Sequence, residues 1–213
     1  GRIAPDKTRP VNFYGYYNYD AEKGGTTHFS VVDRFGNAVA CTQSVNTRFG
    51  SKLLAPRTGI VLNNTMDDFA IHPEVANAYG LIGNRANSLE PKKRPLSSMS
   101  PTIILNGNRV ELVAGAAGGP RIINATLQTI VNVLDFKMPV KQAVAIERIH
   151  HQWLPERLSV EGKIDSEQKK ALEARGHVVR EQSALGVVQA LAVNGSGVNG
   201  AVDPRKVERA RTE

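Results

Sequence analysis

Residues 24–45 read GGTTHFSVVDRFGNAVACTQSV, and no other stretch restricts the fold as tightly. Two strand-like runs, THFSVVD and AVACTQSV, flank a three-residue connection, RFG. Gly36 can take the left-handed conformation that closes such a connection without a steric penalty. The stretch therefore reads as a β-hairpin. Pairing Asp33 with Asn37 across the turn sets Thr26 opposite Ser44, because antiparallel register runs residue for residue away from the turn. Asn46 lies two residues beyond Ser44 and shares its face. Three polar side chains thus converge at the open end of the hairpin.

Gly-Gly before a strand-opening threonine has two explanations. One is a spacer. The other is that Gly25–Thr26 is a bond built to be broken, leaving Thr26 as a nucleophile. A threonine hydroxyl is weak at neutral pH and needs a base within hydrogen-bond reach. The sequence has no G-x-S-x-G elbow and no Ser-His-Asp or Cys-His signature. An N-terminal threonine carries its own base, an α-amine with an ordinary pKa near ~8. A preceding glycine lets the backbone strain into reach of the hydroxyl during self-cleavage. Alone, the tetrapeptide does not decide between spacer and scissile bond.

The rest of the chain predicts a layered α+β domain. GIVLNN at 59–64 reads as a short strand, followed by a loop through TMDDFAIHPEV and a polar loop over 84–101. TIIL and RVELVAG form a second hairpin around Asn106–Gly107. A helix is predicted over 119–135 from the period of Ile122, Leu127, Ile130, Val131 and Leu134. Shorter helices follow over 140–147 and 166–175, with strands over 157–161, 177–180 and 187–193. Residues 1–25 read as an extended linker.

Composition removes some function classes. No run approaches the ~20 apolar residues that span a bilayer, and the opening GRIAPDKTRP lacks the apolar segment of a signal peptide. A single cysteine, Cys41, excludes an internal disulfide. The net charge of +7 invites a nucleic-acid reading. The cations are scattered, however, with no interleaved aromatic platforms, so a solvated face or an acidic partner chain fits better.

Four further stretches carry candidate chemistry. PLSSMSP at 95–101 holds Ser97 and Ser98 between prolines, either to donate to a carboxylate or to bond their own backbone. GAAGGPRI at 115–122 puts glycines before a helix, where free amides can face an anion or an oxyanion; the Walker spacing of a phosphate loop is absent. LNNTMDDF at 62–69 offers Asp67 and Asp68 to an ammonium or a cation, without the spaced ligands of a calcium loop. His150 and His151 would face opposite ways on a strand and read as structural, packing near Trp153, not as zinc ligands.

Together these stretches closely resemble the small subunit of the gamma-glutamyltranspeptidase family of N-terminal-nucleophile hydrolases. TTHFSVVDRFGNAVA, GIVLNNTMDDF, KKRPLSSMSPTIIL, AGGPRI, HHQWLP and GAVDPR stand in that family's order and spacing, over roughly residues 26–205. The resemblance implies a four-layer αββα sandwich. It implies a precursor that cuts itself between Gly25 and Thr26, with 1–25 ending the large-subunit region and 26–213 forming the small-subunit catalytic domain. Thr26 would then take a γ-glutamyl group from a glutathione-like amide and pass it to water, an amino acid or a peptide. Ser44 stands where the family places a threonine hydroxyl bonded to the nucleophile. Asn46 and Asp68 match residues that hold the substrate's α-amino end, and Ser97 and Ser98 match those that hold its α-carboxylate. The amides of Gly118 and Gly119 match the oxyanion hole. Thr65 stands where many members carry Gln or Glu as another amine ligand, so that contact should be looser.

The partner so implied is the large subunit, which contributes an arginine to the substrate carboxylate. No metal or organic cofactor is implied. A periplasmic or secreted protein fits the family. Two alternatives remain: an acylase of the same fold acting on cephalosporin side chains, glutaryl amides or poly-γ-glutamate, and an uncleaved homologue that binds without catalysis.

Overall fold

The structure is a computed structural model that describes residues 24–72, 75–195 and 197–205. Residues 1–23 of the expected 1–25 linker, and residues 206–213, lie outside the described residues. Strands β1 (Thr26–Val32) and β2 (Ala38–Ser44) pair antiparallel, with Thr26 opposite Ser44 and Val32 opposite Ala38. The turn is self-supporting. The Asp33 carboxylate accepts from the Phe35 and Asn37 amides at 2.8 and 2.9 Å, while Gly36 sits at φ 85°. The expected register is the observed one.

A second hairpin joins β3 (Thr102–Asn106) to β4 (Arg109–Ala117). Its turn is Gly107–Asn108, one residue later than expected, because Asn106 still pairs with Arg109 and Gly107 supplies the positive φ. Helices α1 (Arg121–Leu134) and α2 (Val140–Ala145) follow. Next come β5 (Ile149–His150), β6 (Leu158–Glu161), α3 (Ser166–Glu173), β7 (Val179–Gln182), β8 (Val187–Asn194) and β9 (Gly197–Val202). The main sheet has the order β3-β4-β8-β9, and a small sheet has the order β5-β6-β7.

Alternation along β4 and β8 divides the molecule into layers. Leu112, Ala114 and Ala116 with Val188 and Ala190 face α1 and α2, and bury Ile122, Ala125, Val140 and Val144. Each large apolar side chain so buried contributes about 1.5–3 kcal/mol. Small residues dominate this interface. Thr126 and Thr129 are buried on α1 beside Ala125, whereas Leu127, expected on the apolar face, is 53% exposed. The hairpin β1–β2 lies against the opposite face of β4 and β8. Helix, sheet, sheet is the stacking among the described residues, and the class is α+β as expected. The hairpin's outer face, with Phe29, Val31 and Val39, is exposed.

Three expectations change. Residues 59–64 form no strand; a single bridge joins Leu54 to Val61, because Gly59 and Arg57 take positive φ and turn the chain. Strands β5 and β9 carried no readable signal, since β5 has two residues and β9 is GVNGAV. Trp153 stands beside the histidines through its backbone, its amide donating to His151 Nδ1 at 3.2 Å, while its ring faces outward. It is 73% exposed, and the buried His150 is held instead between Asn124 at 2.7 Å and Gln152 at 2.9 Å.

The segment after β9 is fastened by buried charge. Arg148 donates to Asp203 at 2.9 Å, and Arg205 donates to Asp203 at 3.0 Å and to Glu161. Asp203 and Arg205 are the polar pair of GAVDPR. Arg148 also reaches the Gly186 carbonyl at 3.3 Å.

Candidate active site

The hairpin delivers the nucleophile candidate. Thr26 Oγ1 and Ser44 Oγ stand 2.8 Å apart across the first rung of β1–β2. Ser44 Oγ also accepts from the Asn46 amide at 2.8 Å. Asn46 is buried at φ 72°, a left-handed conformation that a non-glycine residue keeps only where neighbours hold it. Those neighbours are identifiable. The Asn46 carbonyl accepts from Tyr79 Oη at 2.7 Å and from the Gly25 amide at 3.0 Å, and Asn46 Nδ2 donates to the Asn64 carbonyl at 3.2 Å.

Gly25 is more than a spacer. A methyl group built on it would lie 2.4 Å from the Thr47 carbonyl oxygen and 2.5 Å from Val45 Cγ2. Glycine is the residue that fits directly before Thr26.

A cavity of about 180 Å³ brings the separate stretches together. Thr26, Ser44, Asn46, Thr65, Asp68, Ser97, Ser98 and Gly119 all line it, with Tyr79, Leu81, Pro95, Leu96 and Met99. Gly118 stands one residue behind the wall, where a methyl group built on it would lie 2.9 Å from the Gly186 α-carbon. Both glycines have positive φ, 142° and 59°, so the turn into α1 needs them.

The carboxyl group of Asp68 is the most perturbed acid of the cavity. Burial, and secondarily the nearby Asp67, push it up to about 6. Among the described residues no hydrogen bond reaches that carboxylate, whereas Asp67 accepts from the Ala78 amide at 3.0 Å. Thr65 points its hydroxyl at Asn63 Oδ1, 2.6 Å away, and so is already engaged. Ser97 Oγ accepts from the Met99 amide at 3.2 Å, which leaves its proton free to donate into the cavity. Among the described residues no group of three or more His, Cys, Asp or Glu could hold a metal ion. No described helix is long and apolar enough to cross a membrane.

The family model for gamma-glutamyltranspeptidase matches residues 1–212. This chain belongs to the gamma-glutamyltranspeptidase family. Among its relatives is the glutathione hydrolase proenzyme of Escherichia coli (strain K12), 48% identical over 188 residues, covering 88% of this chain and 32% of that protein. The chain thus spans about a third of the length of that precursor. Of solved structures, the Helicobacter pylori gamma-glutamyltranspeptidase T380A mutant superposes with a TM-score of 0.80 at 44% identity, covering 84% of this chain and 99% of that one. The Pseudomonas nitroreducens gamma-glutamyltranspeptidase complexed with L-DON gives 0.79 at 43% identity, with 84% and 95% covered. The N-terminal-nucleophile hydrolase fold expected from the sequence is therefore the fold of this chain.

Sequence reasoning missed Tyr79, Gln152 and Met99. Tyr79 lies 33 residues from the Asn46 carbonyl that it holds. No local pattern marks such a contact.

Proposed function

We propose that this chain carries the nucleophile of a γ-glutamyl transferase and glutathione hydrolase, formed by cleavage of a longer precursor between Gly25 and Thr26. The observation that carries the reading is the 2.8 Å contact of Thr26 with Ser44 in a cavity shared with Asp68, Ser97, Ser98 and Gly119. In the first step Thr26 Oγ attacks the Gly25 carbonyl carbon, and its proton passes to the departing Thr26 nitrogen. Water then hydrolyses the resulting ester, leaving a free α-amine at Thr26 and a carboxylate at Gly25. In the second chemistry that amine takes the hydroxyl proton as Oγ attacks the substrate's γ-carbonyl. The Gly118 and Gly119 amides receive the developing oxyanion. The amine returns the proton to the leaving nitrogen, and water or an acceptor amine resolves the acyl-enzyme. Ser44 orients the hydroxyl.

The substrate's ends are read by opposite chemistry. Asp68 and Asn46 Oδ1 accept from the α-ammonium, while the hydroxyls of Ser97 and Ser98 donate to the α-carboxylate. Residues 26–213 form the small-subunit domain, and the segment ending at Gly25 belongs to the large-subunit region. The exposed apolar row Phe29, Val31 and Val39, with Phe49, Leu53 and Leu54 beyond it, is the face that the large subunit covers. An acylase of the same fold is the second reading, favoured by Thr65. Its engaged hydroxyl leaves the amine subsite resting on Asp68 and Asn46.

The test uses the full-length precursor. Intact-mass measurement should show cleavage before Thr26, lost in Thr26→Ala. Turnover of a γ-glutamyl anilide should exceed that of the matching glutaryl anilide; the reverse ranking selects the acylase, and an uncleaved, inactive wild type refutes both.

A further inference from the structure

Thr26 and the Gly118–Gly119 turn stand on different layers of the sandwich. The nucleophile belongs to the hairpin, and the oxyanion donors follow the last residue of β4. Nothing in either strand's own hydrogen bonding sets the offset between the two layers. A close side-chain contact, that of His28, bridges them. His28 points inward from β1 and is 6% exposed. Its Nδ1 lies 2.7 Å from Thr42 Oγ1 and its Nε2 lies 3.0 Å from Ser30 Oγ, so both ring nitrogens are held from the hairpin side. On the other side the ring meets Gly115 in the middle of β4.

The fit is close. A methyl group built on Gly115 would stand 2.3 Å from both Nδ1 and Cε1 of His28. Gly115 pairs in register with Gln189 of β8 and is not among the positive-φ glycines. Its backbone would suit any residue, and the missing side chain is what makes room for the ring. Rotating the ring away would break two part-buried hydrogen bonds, so it cannot yield cheaply.

The two catalytic halves lie near this contact. Thr26 is two residues from His28 on the same face, about 7 Å along β1 at a rise of about 3.3 Å per residue. Gly118 is three residues past Gly115, about 10 Å along β4 by the same rise. Thr26 and Gly119 line one cavity, so both halves lie at the same end of the stack. A slide of the hairpin over the sheet therefore moves the hydroxyl relative to the oxyanion donors by the same distance. We propose that the His28 imidazole, seated on Gly115, sets the spacing between the Thr26 hydroxyl and the Gly118–Gly119 amides, making His28 and Gly115 positioning residues for acyl transfer. The proposal rests on the roles given to Thr26, Gly118 and Gly119 above.

The experiment compares wild type, Gly115→Ala, His28→Ala and the double variant in the full-length precursor, with γ-glutamyl p-nitroanilide as substrate. A displacement near 1 Å between reacting groups costs about 10²-fold. The kcat of processed Gly115→Ala should fall by about that factor. Its KM should change less than about threefold, because Asp68, Ser97 and Ser98 stand on other segments. His28→Ala alone should lower kcat about tenfold, and Gly115→Ala should then add less than about threefold, the two effects being coupled through the ring. A purely structural role predicts a lower melting temperature with kcat per processed molecule unchanged; that result overturns the proposal, as do additive single effects. If Gly115→Ala does not fold, a folded double variant with the kcat of His28→Ala supports the proposal, and a double variant that also fails to fold overturns it. A wild type without turnover overturns the functional reading as well, whereas an active wild type with an unaffected Gly115→Ala overturns this inference alone.

Discussion

Strands β1 and β4 are neighbours in space and opposites in composition. β4 is buried on both faces: Leu112, Val113, Ala114 and Ala116 are each at most 1% exposed. β1 turns its polar residues inward, with Thr26, His28 and Ser30 toward the sheet, and its apolar residues Phe29 and Val31 outward at 46% and 48% exposure. An outward hydrophobic face of this kind is the type of surface that marks an interface. The inward polarity has a separate cause. Thr26 lines the cavity, and the hydroxyls and imidazole along that row satisfy one another. The main sheet is held by packing, the hairpin by register and by what lies on either side of it.

Breaking each side of this contrast should give different signatures. The largest stability effect belongs to the sheet side. Arg148→Met leaves the buried Asp203 with Arg205 but without its fully buried cation, and removing one member of a buried pair costs about 3–5 kcal/mol. Urea unfolding of the processed protein should show that loss, with reduced processing in the same variant. On the hairpin side the effect is catalytic. Ser44→Ala keeps the strand but removes the hydroxyl at 2.8 Å from Thr26 and the acceptor of the Asn46 amide; single-turnover kinetics should record a kcat loss of roughly 10²-fold, beside an unfolding cost of about 1–3 kcal/mol.

Smaller effects sharpen the comparison. If the outer face of β1 is covered in the assembled protein, Phe29→Ser should destabilise it by about 2–4 kcal/mol in the same urea assay. A cost within about 0.5 kcal/mol would mean that the face stays in water. The mildest perturbation is pH. Asp68, raised to about 6, is an anion above that value and neutral below it. An ammonium is attracted only by the anion, so KM for a γ-glutamyl substrate should rise as pH falls through about 6. Asp68→Asn should raise KM above about pH 6, where the wild type is an anion, and flatten this dependence.

How much of this was legible beforehand depended on distance along the chain. The β1–β2 register, the three-residue turn and the facing of Thr26, Ser44 and Asn46 followed from period-two alternation around Gly36, all within 22 residues. The helix after Gly118–Gly119 was equally readable, although Leu127 was given to the wrong face because small residues, not large ones, line the contact with β4. GIVLNN looked like a strand by composition, yet positive-φ residues on its approach left it a bridge. Ser97, Ser98, Asp68 and Gly119 could be singled out as chemistry-bearing. Their own spacing did not say that they meet.

The sequence by itself determined the local geometry around the proposed nucleophile: glycine before Thr26, a hydroxyl opposite it, and a hairpin whose turn sets both. Those are nearest-neighbour and cross-strand constraints, and they act over a few residues. Only the tertiary structure decided which loops close around that hydroxyl, that Tyr79 holds Asn46 in its left-handed conformation, and that His28 rests on Gly115. Such contacts join residues tens of positions apart and arise when layers pack. Their energy comes from shape and burial in three dimensions, which no periodicity along the chain encodes.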